Sequence, residues 1–191
     1  MRQSQITSWC HEIIRSQAPE GGFYIDATMG KGKDTLFLCG LAGEKGRVLA
    51  FDVQKEALRY TEEILRANGM RSRAELILDG HEHMDSYAAN ETADVICFNF
   101  GYLPGGDHSI GTAADTSVEA AKKGLSILKR GGMMSLLIYS GGDTGFAEKE
   151  ALLSWLRDLS AKEFTVIVNE YWNRGNCPPV PVFVFKNGQA S

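Results

Sequence analysis

The chain has 191 residues, 43% of them hydrophobic and 23% charged, with a formal net charge of -4 at pH 7. This balance excludes a disordered or fibrous chain, and the length suits one domain with its own core. The acidic balance argues against broad nonspecific binding to nucleic acid, which relies on clustered Lys and Arg.

No apolar run approaches the roughly 20 residues of a membrane-spanning helix, and the polar start "MRQSQITSWCHEII" lacks a secretory h-region. Cys10, Cys39, Cys97 and Cys177 are scattered without a CxxC pair, so neither a zinc site nor a disulfide framework is expected. A cytoplasmic protein without membrane association is expected, with one domain over 1–191: an N-terminal helical segment (1–20) ahead of a core (21–191).

In chain order, "FYIDATMG" (23–30) is a first strand running into a turn, followed by a helix from about Asp34 to Ala42 that Gly43 stops. "GRVLAFDV" (46–53) is a second strand. Ala57, Leu58, Thr61, Ile64, Leu65 and Asn68 then recur at helical spacing before Gly69. "AELILDG" (74–80) and "ADVICFNFG" (93–101) are the near-continuous apolar runs of strands buried on both faces.

Val118, Ala121, Leu125 and Leu128 predict a helix over 116–130, ending in Lys129, Arg130 and the Gly131-Gly132 stop. "MMSLLIYS" (133–140) is a fifth strand, and Ala151, Leu152, Trp155, Leu156 and Leu159 mark another amphipathic helix. Two β-rich runs, 164–172 and 180–186, close the chain with no helix between them.

Alternating strand and helix predicts right-handed crossovers and helices on both faces of a parallel sheet, while the last two runs must pair antiparallel. The expected fold is α/β: a seven-stranded, mostly parallel, Rossmann-like sheet with an antiparallel C-terminal edge strand. That ending distinguishes class I S-adenosylmethionine-dependent methyltransferases from ordinary dinucleotide-binding sheets.

Ligands of open α/β sheets collect at the C-terminal ends of the strands, which directs attention to Asp26-Ala27-Thr28-Met29-Gly30-Lys31-Gly32-Lys33-Asp34-Thr35. A dinucleotide fingerprint starting at Gly30 and Gly32 requires a third glycine where Thr35 stands. Asp34 at the helix start would repel a pyrophosphate, whereas Asp26 and Asp34 would attract the sulfonium and ammonium of S-adenosylmethionine. Asp34 as a helix cap and Asp26 as a support for the loop are the structural alternatives. Asp52, at the end of the second strand, is placed for ribose hydroxyls. Gly80 and His81 in "DGHEH" (79–83) are placed for the adenine and its ribose, while His83 is expected at the surface.

The fourth strand ends in Asn99-Phe100-Gly101-Tyr102, the slot of the Asn-Pro-Pro-Tyr motif in amine-directed methyltransferases. There an amide oxygen accepts an N–H of the substrate amine and an aromatic ring packs over the substrate. Asn99 and Tyr102 fit those roles. Methyl transfer to a neutral amine needs alignment and exclusion of water rather than a strong base, and Asp107 or His108 is the candidate acceptor of the released proton.

"DATMGKGKDT", "AFDVQKEAL", "DGHEHMD" and "FNFGYLPGGDHS" together resemble the bacterial MnmM-type (YtqB-like) methyltransferases, long labelled rRNA methylases, over nearly the whole chain. The resemblance implies S-adenosylmethionine-dependent N-methylation of the aminomethyl group of 5-aminomethyl-(2-thio)uridine at the tRNA wobble position. Carried over by motif, the cofactor contacts are Thr28, Gly30, Lys31, Gly32 and Asp34, then Asp52 and Gln54, then Gly80 and His81. The family usually has Asn where Lys31 stands, which leaves the backbone as the expected contact. It also tends to carry a histidine where this chain has Ser140. The implied partner is the tRNA anticodon loop, and a homodimer is expected to assemble the basic surface that an acidic monomer lacks. The rival readings are a methyltransferase acting on rRNA or a small-molecule amine, a NAD-dependent oxidoreductase, and a noncatalytic nucleotide-binding module.

Overall fold

The structure, a computed structural model, describes residues 6–101, 114–140 and 145–188. Within them the order is α1 (Ile6–Gln17), β1 (Phe23–Asp26), α2 (Lys33–Ala42), β2 (Arg47–Asp52), α3 (Lys55–Ala67), β3 (Ala74–Leu78), β4 (Ala93–Phe100), α4 (Ala114–Ile127), β5 (Leu128–Ile138), α5 (Gly145–Arg157), β6 (Phe164–Val168) and β7 (Val180–Lys186). The strands form one sheet in the order β3-β2-β1-β4-β5-β7-β6. β1 to β5 pair in parallel, whereas β7 runs antiparallel to both β5 and β6. The reversed strand therefore sits one place in from the edge, and β6, pointing the same way as β5, forms the edge itself.

Side-chain alternation divides the core between the two faces. On one face, Cys10 and Ile14 of α1, Leu38 and Cys39 of α2 and Leu65 of α3 pack with Tyr24, Val48, Val95 and Cys97. On the other, Ala121 and Leu125 of α4 and Leu152 and Leu156 of α5 pack with Ile25, Phe51, Ile96, Phe98 and Phe100. In β4 this parity sends Val95 and Cys97, and by the same rule Asn99, toward α1 and α2. α3 is the clearest amphipathic helix: Ala57, Thr61 and Leu65 are buried four residues apart, while Arg59–Glu63 and Arg66–Glu62 pair at four-residue spacing.

Two boundaries differ from the sequence expectation. The first strand stops at Asp26, because the backbone of Ala27 to Gly32 turns to build a loop. The fourth major helix stops at Ile127, and Leu128 already pairs with Ala93, so Lys129 to Gly132 belong to β5 rather than to a helix end. Lys129 instead bonds Asp94 at 2.9 Å. The cation at the end of α4 comes from β7: Lys186 Nζ donates to the carbonyls of Leu125 at 3.0 Å and Leu128 at 2.8 Å.

Candidate active site

The C-terminal ends of β1, β2 and β4 converge on the loop from Ala27 to Gly32. Gly30 and Gly32 take left-handed backbone angles, φ 50° and 74°. A side chain at Gly32 would also meet Thr61 Oγ1 at 2.8 Å and Thr61 Cα at 2.9 Å, so the loop lies directly on α3. The Gly30 N–H donates to Asp52 Oδ2 at 3.0 Å, and the Gln54 N–H to Asp52 Oδ1 at 2.9 Å. Asp52 thereby ties the loop to the start of α3, where Gln54 is the residue preceding the helix.

Asp26 is fully buried and both its oxygens turn inward. Oδ1 accepts the Thr28 N–H at 3.2 Å, and Oδ2 accepts the Thr35 hydroxyl at 2.6 Å. Its side chain supports the loop from beneath. Burial, then the Asp34 charge, pushes its carboxyl up to about 7. Burial also raises Asp52, against the two backbone N–H bonds.

Asp34, in the first turn of α2, joins two distant elements. Oδ1 accepts from His11 Nε2 of α1 at 2.7 Å, and Oδ2 accepts from Asn99 Nδ2 of β4 at 2.6 Å. Burial raises its carboxyl, but the bonds from His11 and Asn99 outweigh burial and the net shift is downward, so the group is ionised and only accepts. The Asn99 backbone N–H donates to Thr28 Oγ1 at 2.7 Å, fixing the end of β4 to the loop. Thr28, Asp34, Asn99, Gly30, Gly32, Asp52 and Gln54 thus form one connected set, with exposed Lys31 at its rim.

His81 stands after β3, where Gly80 opens a short 3-10 turn (His81–Ser86). Its Nδ1 lies 3.2 Å from the Ala27 carbonyl, and its ring meets Phe98 and Phe100 edge to face, with centroids 5.9 and 6.1 Å away. Burial lowers its pKa, keeping the imidazole neutral with the proton on Nδ1. His83 is exposed and bonds Asp79 at 2.8 Å. Tyr102 and Asp107 lie outside the described residues.

Two residues that hold the site's carboxylates escaped sequence reading. Thr35, weighed only as a failed glycine, holds Asp26. His11 lies between the buried positions Cys10 and Ile14 of α1, and no local pattern links it to an acid 23 residues later. The one available signal was a polar ring beside the buried Cys10 and Ile14 of α1.

The sheet order, with three carboxylates under a glycine turn and an amide at the end of β4, defines a class I methyltransferase. The chain belongs to the family described as "Putative rRNA methylase", whose model matches residues 48–185. It is 33% identical, over 96% of its own length and 70% of the relative's, to the tRNA (mnm(5)s(2)U34)-methyltransferase, chloroplastic, of Arabidopsis thaliana. A Clostridium thermocellum structure with the same description is 40% identical with a TM-score of 0.93, covering 97% of this chain and 100% of that one. A Streptococcus mutans structure solved in complex with SAH is 35% identical with a TM-score of 0.86, covering 96% of this chain and 98% of the other.

Proposed function

We propose that the chain transfers a methyl group from S-adenosylmethionine to the aminomethyl nitrogen of 5-aminomethyl-(2-thio)uridine at the tRNA wobble position, giving the 5-methylaminomethyl form. The observation that carries this reading is the orientation of Asn99. An ionised Asp34 can only accept, so it draws the Asn99 NH2 toward itself and leaves Oδ1 as the acceptor for an amine N–H. The Arabidopsis relative's name supplies the nucleoside.

The donor set fits a cationic methyl donor. Asp26 and Asp52 carry raised carboxyls that a bound cation would lower again, and Asp34 adds an ionised group beside them. In this reading Asp52 takes the ribose hydroxyls, Gly80 and His81 face the adenine, and the Gly30–Gly32 backbone takes the amino-acid end. The donor, when bound, supplies an electrophilic methyl on a sulfonium.

Asn99 aligns the amine lone pair with that methyl, Tyr102 is assigned the aromatic contact to the uridine, and Asp107 or His108 takes the proton the product ammonium releases. With the donor bound, the transfer would be an in-line displacement at that methyl. Alignment of this kind is the main contribution required of the protein. The chain acts in the cytoplasm on the anticodon loop, as a single methyltransferase domain. A homodimer supplies basic surface for the tRNA, and sedimentation showing a monomer that binds tRNA would overturn that part.

The test is transfer of a labelled methyl group to tRNA bearing 5-aminomethyl-2-thiouridine, with the nucleosides resolved by mass. One methyl gained on that nucleoside is expected, abolished by Asp52→Ala and reduced about a hundredfold by Asn99→Ala. Transfer to ribosomal RNA but not to this tRNA would move the substrate to rRNA.

A further inference from the structure

Asn99 can serve as an acceptor only if its amide is held in one of two nearly isosteric orientations. Asp34 selects that orientation, yet a carboxylate on a short side chain has its own rotational freedom. Its Oδ1 is held from the opposite side by His11 Nε2 at 2.7 Å. The imidazole is itself stacked on Phe37 of α2, with centroids 3.9 Å apart and planes within 5°. A small pocket between α1 and the ends of β4 and β5 is lined by His11, Asp34, Asn99 and Cys97.

We infer that His11 is a positioning residue for methyl transfer: through Asp34 it locks the Asn99 amide with Oδ1 toward the substrate amine. The inference rests on the proposed reaction and adds to it a role for the N-terminal helix. The ring donates Nε2–H to a carboxylate that only accepts, and that carboxylate's other oxygen accepts the Asn99 NH2. A chain of this form transmits orientation with no proton transfer along it. Cys10 and Ile14 anchor α1 in the core independently of His11, so the His11 variants are expected to fold.

The experiment combines kinetics with an independent view of the amide. His11→Ala is expected to lower kcat at least tenfold on the aminomethyl tRNA, while affinity for SAH by calorimetry changes less than twofold. His11→Gln, whose NH2 donates from a similar reach, is expected to recover most of the rate. Because His11 acts through Asn99, adding His11→Ala to Asn99→Ala should cost nothing further. In protein labelled with 15N-asparagine, the Asn99 side-chain amide resonance should move in His11→Ala and return in His11→Gln.

A wild-type kcat in His11→Ala, or a fully additive loss in the double variant, would overturn the inference. So would an Asn99 amide that does not respond. If the wild type transfers no methyl to this tRNA, the functional reading falls, and the amide resonance alone then decides the positioning role.

Discussion

Gly32 and Gly69 have similar backbone angles, φ 74° and 67°, but different surroundings. A Cβ at Gly32 meets Thr61 and Ile64 below 3 Å, whereas nothing lies within 4 Å of one at Gly69. Gly69→Ala should therefore cost only the left-handed penalty of about 1 kcal/mol, and Gly32→Ala about 2–4 kcal/mol once overpacking is added, both read from urea denaturation. Asp26 yields a pH signature. Its carboxyl is raised from 3.8 to about 7, burial being the larger cause, so between those values the folded chain holds a proton that the unfolded chain has released. This contribution to stability is complete below the unfolded value and is lost as pH rises through the folded one. Asp26→Asn removes the slope, and denaturation from about pH 4 to about pH 8 should show the variant gaining on the wild type throughout. At this scale the sequence was legible where an acid, an amide or a glycine sits in a short motif: Asp52, Asn99 and Gly32 all join the converging set. It was not legible where a partner comes from elsewhere, because hydrogen bonds such as His11–Asp34 and Thr35–Asp26 depend on the fold to bring donor and acceptor together.

The end of α4 shows how an element boundary escapes local reading. Leu128-Lys129-Arg130-Gly131-Gly132 has the composition of a helix stop, with cations and glycines in the right order. Pairing of Leu128 with Ala93 claims the segment for β5 instead, and Lys186 of β7 takes over the helix carbonyls from across the sheet. Propensity yields here to a tertiary partner. Lys186 is 11% exposed, also pairs with Glu91 at 3.3 Å, and makes charge-assisted bonds. Lys186→Met should lower stability by about 2 kcal/mol, measured by urea denaturation, with cofactor affinity unchanged. α3 and the βα alternation were legible because their burial repeats at regular spacing, whereas the exact place of the reversed strand depends on pairings that periodicity does not encode.

At the scale of the whole molecule, several cations among the described residues are paired with carboxylates. Arg71 bonds Glu62, Lys123 pairs with Asp85 and Glu119, Lys129 with Asp94, and Arg130 with Glu91. Aromatic side chains stand out elsewhere on the surface. β6 points the same way as β5, so the segment after it leaves from the same end of the sheet as Asn99. There Trp172 is 96% exposed, and the Arg174 guanidinium lies 4.5 Å from the Tyr171 ring centroid. On the proposed tRNA substrate, Trp172→Ala should weaken binding about tenfold by loss of base stacking, with SAH affinity unchanged. Competitive binding assays would read both. The place of β7 has a consequence for synthesis. The seventh strand in chain order fills an interior slot between the fifth and sixth, so on the ribosome β6 emerges with no neighbour to pair with until the segment after it is translated. A nascent chain cut short before Val180 would leave one edge of β5 and both edges of β6 open for other chains to join.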